Sequence, residues 1–192
     1  MRSLLPALLA AALLVAGCGG SNKSGGGSGV KPETWASTVC TSLGSWERDL
    51  KAGATGLDKT LERAAARRGL AGVRAELADY LGRTVGRTDA VLKQVDRAGT
   101  PGGKDGAAVR AVVHDALMRM RQILADARAK SRRLPVGDPK AFVREVTSLG
   151  QVIDRAATRT GNQLDRDLER RYGKTDIGKA LNEEPACKRL AG

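Results

Sequence analysis

The stretch DPKAFVREVTSLGQVIDRAATRTGNQLDRDLERRYG, residues 138–173, carries the strongest helix signal in the chain. Asp138 is a residue type that caps helix N-termini, and Pro139 suits the first helical position. Gly173 is expected to end the helix, before a short turn around residues 176–181. Apolar and small side chains recur between these limits at three- and four-residue steps, the period of one helix face: Phe142, Val146, Leu149, Ile153, Ala156, Thr160, Leu164 and Leu168.

Three upstream stretches have the same period. They run through residues 35–50, 70–95 and 109–127, and breaks at residues 53–56, 99–103 and 134–135 separate them. Gly69 and Gly72 interrupt the second stretch, so residues 57–98 form either one long kinked helix or two shorter helices.

The composition supports a fold made of helices alone. Aromatic residues make up 3% of the 192 residues, and no alternating strand pattern is found from Lys31 onward. Such an Ala-rich, aromatic-poor chain suits closely packed helices better than a β-sandwich. We therefore expect one all-α domain over residues 31–192. Its architecture is predicted to be an up-down-up-down four-helix bundle with a short C-terminal helical turn.

The first 18 residues, MRSLLPALLAAALLVAGC, have the pattern of an export leader. The apolar run from Leu4 to Val15 is too short to span a bilayer, which needs about 20 residues, so it reads as a signal peptide. Its end, Val15 to Cys18, resembles the bacterial lipobox. That resemblance implies cleavage between Gly17 and Cys18, a diacylglycerol on the Cys18 thiol and further acylation such as palmitate. The alternative is an ordinary secretory signal with an incidental cysteine.

The predicted leader fixes the bounds of the first two segments of the chain and indicates which cysteines pair. Residues 1–17 form the signal peptide, and residues 18–30 form the lipidated cysteine and a flexible Gly/Ser tether. With Cys18 lipidated, Cys40 and Cys187 remain, and an exported domain lies in an oxidising compartment. We expect a Cys40–Cys187 disulfide, because a four-helix bundle brings both residues to one end. A redox-active pair is disfavoured, since neither cysteine has a C-x-x-C partner.

The whole chain also resembles a family of proteins. The leader, the tether, the W-x4-C motif (Trp35, Cys40) and the closing P-A-C-K-x-L motif (Pro185 to Leu190) are similar to small secreted lipoproteins of high-GC Gram-positive bacteria. Arg outnumbers Lys 22 to 11, as such genomes favour. The resemblance implies a lipid-anchored protein on the outer face of the cell membrane, and it implies no mechanism.

Motifs for catalysis are missing from the sequence. His114 is the single histidine, and there is no E-x-x-H or G-x-S-x-G motif. A di-iron bundle, a catalytic zinc site and a serine nucleophile each need such residues. We therefore expect a non-catalytic protein with no metal and no cofactor.

The excess of positive charge is the feature of the sequence that bears on function. The formal net charge is +12. Helix dipoles account for some basic residues at helix ends, and a solvated surface without a partner is the alternative interpretation. Outside the cell the available polyanions are envelope polymers and lipid headgroups, whereas nucleic acid is scarce and stacking aromatics are few. No protein partner is indicated. The candidate contacts to an anionic surface are Arg67, Arg68, Arg132, Arg133, Arg170 and Arg171.

Two functions remain. The first is a membrane-anchored lipoprotein whose helical domain contacts envelope components or a partner. The second is a carrier of an apolar or lipid ligand between the helices. The small residues Ala116, Ala127, Ala156 and Ala157 predict close packing with little internal space. A cavity of a few hundred Å3 between the helices favours the carrier.

Overall fold

The computed structural model describes residues 29–191, so Gly17, Cys18 and the remainder of the leader lie outside the described residues. Within that range the regular secondary structure is helical, apart from one isolated parallel β-bridge between Val30 and Pro101. The helices are α1 (Pro32–Thr55), α2 (Leu57–Arg97), α3 (Gly106–Ser131), α4 (Pro139–Asp167), a π-helical turn (Leu168–Tyr172), α5 (Asp176–Glu183) and α6 (Pro185–Ala191). None of the described helices combines the length and the apolar character needed to cross a bilayer.

The four long helices form the predicted up-down-up-down bundle. Helix α2 packs on α1 and α3, and α3 packs on α4. The C-terminal segment is longer than the predicted turn: α5 and α6 both pack along α1. The predicted all-α bundle is therefore confirmed, with two short helices added beside its first helix.

The start of α4 follows the sequence signal. One carboxylate oxygen of Asp138 accepts hydrogen bonds from the backbone N–H groups of Lys140 and Ala141, at 2.9 and 3.0 Å. These bonds satisfy donors that have no partner inside the helix. Asp105 occupies the same position before α3, but its side chain makes no capping bond.

The open question about residues 57–98 is resolved by a reversal at Gly69. Its φ of 57° and ψ of −151° lie in a region that essentially only glycine occupies. Arg68 and Glu76 form an ion pair at 3.5 Å, although residues eight apart in a straight helix lie about 12 Å from one another. The chain therefore folds back at Gly69, and Leu57–Arg68 is an arm lying against the following turns of α2.

Two groups of buried side chains form the core, one towards each end of the bundle. The entry end is the end where Val30 pairs with the α2–α3 loop, and its core contains Trp35, Val95, Val109 and Ile177. The hairpin end contains the Gly69 reversal and the α3–α4 turn, residues 132–138. Its core is formed by Leu77, Leu81, Leu124, Leu134, Phe142 and Leu149.

The expected disulfide is present. Cys40 in α1 is bonded to Cys187 in α6, with 5.0 Å between the two Cα atoms and 147 residues between them in sequence. Both cysteines lie towards the entry end, as the bundle topology predicts. The bond fastens the last helix of the chain to the first.

Candidate functional site

An apolar cavity of about 710 Å3 lies between the four long helices, midway along the bundle. Its size falls within the range typical of small-molecule sites. Every long helix contributes to its wall. The principal lining residues are Trp46 and Leu50 from α1, Tyr80 and Leu81 from α2, Ala116, Met120 and Leu124 from α3, and Ile153, Ala157 and Leu164 from α4.

The cavity exists because α1 and α4 do not close on each other. Helix α1 is covered by α2, α5 and α6, and α4 rests on α3. In α4 only Phe142 and Leu149 are buried, both in its first half. The apolar positions of its second half, such as Ile153 and Leu164, are half-buried and face the cavity.

The small side chains have the opposite effect from the one expected. Ala116 and Ala157 were predicted to permit close packing, but both line the cavity wall. Small residues bring helices together only where the backbones approach, and here α1 and α4 stand apart. Their short side chains therefore enlarge the space between the helices. Ala127, by contrast, is buried in the core of the hairpin end, as expected.

Two threonine hydroxyls and one indole N–H in the wall are already engaged within the protein. The hydroxyls of Thr84 and Thr160 donate to the carbonyls of Tyr80 and Ala156, at 3.0 and 2.9 Å. The indole N–H of Trp46 donates to the Thr88 hydroxyl at 3.2 Å. A polar ligand atom placed among these groups would lose its water without gaining a new donor. The interior therefore suits a hydrocarbon.

Charge and polarity increase at the edges of the cavity. On α1 the Lys51 ammonium lies 2.6 Å from the Glu47 carboxylate, and both residues line the rim. Towards the entry end, Leu164 separates the main cavity from a second one of about 560 Å3. That second space is bordered by the Cys40–Cys187 disulfide and by Asp165 and Lys188. The disulfide therefore borders the second space and not the apolar cavity itself.

The six candidate arginines are exposed and lie at both ends of the bundle. Arg67 and Arg68 precede the Gly69 reversal, and Arg132 and Arg133 follow α3, so these four share the hairpin end. Arg170 and Arg171 lie in the π-helical turn, whose Tyr172 belongs to the core of the entry end. The structure brings four of the six together.

His114 is half-buried on α3, with its Nε2 atom 4.0 Å from an Asp96 carboxylate oxygen. On the same α2–α3 surface Arg121 is hydrogen-bonded to Asp89, and this bond and the negative charge raise the pKa of Arg121 above its ordinary value. Among the residues that the structure describes, no three His, Cys, Asp or Glu side chains are grouped as metal ligands. The Arg121–Asp89 ion pair joins α2 to α3, and neither of its residues lines the cavity.

The cavity itself was missed by sequence reasoning, although a weak signal exists. In the second half of α4 the predicted apolar face is diluted by Ala157, Thr160 and Gly161, which are small or polar.

Comparison with protein-family models, with curated proteins and with solved structures finds no match for this chain.

Proposed function

We propose that this chain is an exported, membrane-anchored lipoprotein whose helical domain carries a hydrocarbon-chain ligand in the cavity between α1 and α4. The observation that supports the proposal is the apolar cavity of about 710 Å3. The domain acts without catalysis in this proposal. A role limited to surface contacts leaves that cavity without a purpose, so we place the carrier first.

The dimensions of the site fit one acyl chain. The α4 side of the cavity runs from Ile153 to Leu164, which is about 16 Å of helix. One leaflet of a bilayer is about 15 Å thick in its hydrocarbon region. A membrane lipid therefore carries a chain of matching length, and the gap between α1 and α4 offers a lateral path into the site.

Anchoring completes the proposal. A lipid on Cys18 and the tether of residues 18–30 keep the domain beside the outer face of the membrane, where acyl chains are abundant. Partition of a Cys18→Ala chain between membrane and soluble fractions tests this part. At high salt, which suppresses binding through the basic surface of the domain, loss of leader cleavage or of membrane association supports the anchor, and unchanged processing together with unchanged partition contradicts it.

Native mass spectrometry of the domain, gently released from its own envelope, tests the cavity. A discrete added mass that survives desalting supports the carrier and identifies the ligand class. The informative variant is Gly161→Leu, because Gly161 lines the cavity and a Cβ there meets open space. We expect the leucine to fill part of the cavity and abolish the added mass.

Gly150→Leu is the matched control. Gly150 also lies in α4 with open space around it, but it does not line the cavity. Both substitutions replace a helical glycine and are expected to stabilise the helix by up to about 1 kcal/mol. A bare polypeptide mass in the wild type, or equal ligand occupancy in both variants, contradicts the carrier.

A further inference from the structure

Positive charge is concentrated at the hairpin end. Residues 62–76 and 126–145 together contain ten basic side chains and five acidic side chains, among them Asp138, so these segments have a net charge of +5. The Asp138 carboxylate is already engaged by the first backbone N–H groups of α4. At the other end, residues 165–189 contain seven basic and six acidic side chains, so that segment is almost neutral.

Two turns of the chain, distant in sequence, bring this charge together. An Arg74 guanidinium nitrogen lies 3.5 Å from the Leu134 carbonyl oxygen, to which it donates a hydrogen bond. Leu70 and Val73 pack against the same core as Leu134. The Gly69 reversal and the α3–α4 turn therefore lie side by side. The cationic patch that results is formed by the exposed side chains of Arg67, Arg68, Arg132 and Arg133.

The cationic patch has no built site for a single anion. Arg68 reaches the Glu76 carboxylate at 3.5 Å with 58% of its side chain exposed, and the other three arginines form no ion pair among the described residues. Four exposed guanidinium groups on two neighbouring segments suit a surface whose anions are themselves mobile. A fluid layer of acidic headgroups is such a surface.

An exposed apolar side chain accompanies the charge. Val143 is 62% exposed, more than the exposed Met118 and Val152, and it lies between Lys140 and Arg144 near the start of α4. Apolar side chains flanked by cations are typical of proteins that bind at the bilayer interface. A hydrophilic polyanion would not bury the Val143 side chain and would gain nothing from it.

We infer that the cationic patch, together with Val143, docks the hairpin end on an anionic lipid surface. The inference does not depend on the cavity being occupied. Each basic residue close to such a surface strengthens binding about fivefold. Loss of all four arginines is therefore expected to weaken binding by at least about a hundredfold.

The test uses residues 19–192, which include every residue that the structure describes and lack the lipidated cysteine. Binding is measured by cosedimentation with phosphatidylcholine vesicles that contain or lack phosphatidylglycerol. The test variant carries Arg67→Gln, Arg68→Gln, Arg132→Gln and Arg133→Gln. The control carries Arg170→Gln, Arg171→Gln, Lys174→Gln and Lys179→Gln, all at exposed positions.

The control removes the same number of positive charges, four, from the opposite end of the bundle. That end lies about 40 Å away along α2, which is several Debye lengths at moderate salt. We expect the test variant to lose binding to acidic vesicles at least about a hundredfold and the control less than tenfold. Equal losses would show that net charge alone is responsible and would overturn the inference, as would equal binding to both kinds of vesicle.

A second variant separates a membrane from a soluble polyanion. Val143→Ser is expected to weaken vesicle binding several-fold while leaving the affinity for soluble polyglycerol phosphate unchanged. Unchanged vesicle binding by Val143→Ser, or binding of wild-type protein to the polymer and not to vesicles, overturns the lipid surface as partner. Circular dichroism on each variant checks that the fold is retained.

Discussion

The two halves of α1 have the same apolar repeat and different surroundings. In the first half Trp35 and Ala36 are fully buried, because α5, α6 and the α2–α3 loop cover them. In the second half Trp46 and Leu50 continue the stripe, yet they remain half-buried at the cavity wall. An apolar stripe therefore shows which face of a helix avoids water, and it does not show whether another element covers that face.

Helix α4 repeats the comparison in the opposite direction along the bundle. Its first half buries Phe142 and Leu149 in the core of the hairpin end, whereas its second half, around Ile153, borders open space. The bundle is thus packed at both ends and open between α1 and α4 in the middle. The packed ends and the open middle should therefore differ in their contribution to stability and in their local motion.

The largest expected effect concerns the disulfide that holds the entry end closed. Cys40→Ser and Cys187→Ser should each lower the free energy of unfolding by about 5 kcal/mol, because the bond closes a loop of 147 residues. The double variant should lose no more than either single variant. Denaturant unfolding under non-reducing conditions measures all three. Unequal single variants, or an additive double variant, would contradict a shared bond as the origin of the loss.

The two tryptophans of α1 compare the packed and open regions within one helix. Trp35→Ala should cost about 3–5 kcal/mol, since the side chain is fully buried and its indole N–H donates to the Gly99 carbonyl at 3.0 Å. Trp46→Ala should cost about 1–2 kcal/mol, because that ring is only partly buried and its removal costs less transfer free energy. Thermal or denaturant unfolding gives both values. Equal costs would mean that the gap between α1 and α4 is closed in solution.

Amide hydrogen exchange should separate the open half of α4 from the packed helix beside it. We expect the amides of residues 150–164 to exchange at least about tenfold faster than those of residues 109–124, because fewer buried contacts resist local opening. A hydrocarbon ligand that occupies the cavity should reduce the difference in exchange rate between the two segments. Equal protection of the two segments without ligand would contradict an open cavity.

Most of the fold could be predicted from local signals. Asp138 and Pro139 marked the start of α4, the glycines at 99–103 marked the end of α2, and both predictions are confirmed. The Cys40–Cys187 pairing, which is present, followed from the predicted export and the predicted bundle topology. The reversal at Gly69 was left open, because glycine permits both a kink and a fold-back, and the packing of Ala64 against Gly72 selects the second.

The candidate site could be predicted only in part. The six arginines were named from sequence, but their grouping depends on how the α3–α4 turn lies beside Gly69. The cavity was not predicted, since Ala116 and Ala157 are compatible with both close packing and a gap. Periodicity carries no information about the distance between two helices that are not neighbours in sequence.

The sequence by itself determined the four long helices and their order, the cap at the start of α4, the expectation of an exported chain and the cysteines that pair. These features depend on residues close together in the chain or on topology alone. Only the tertiary structure decided that α5 and α6 cover α1, that α4 stands away from α1, and that two distant turns form one cationic patch. Those outcomes depend on the relative positions of whole helices, which many side chains set together and no short motif encodes.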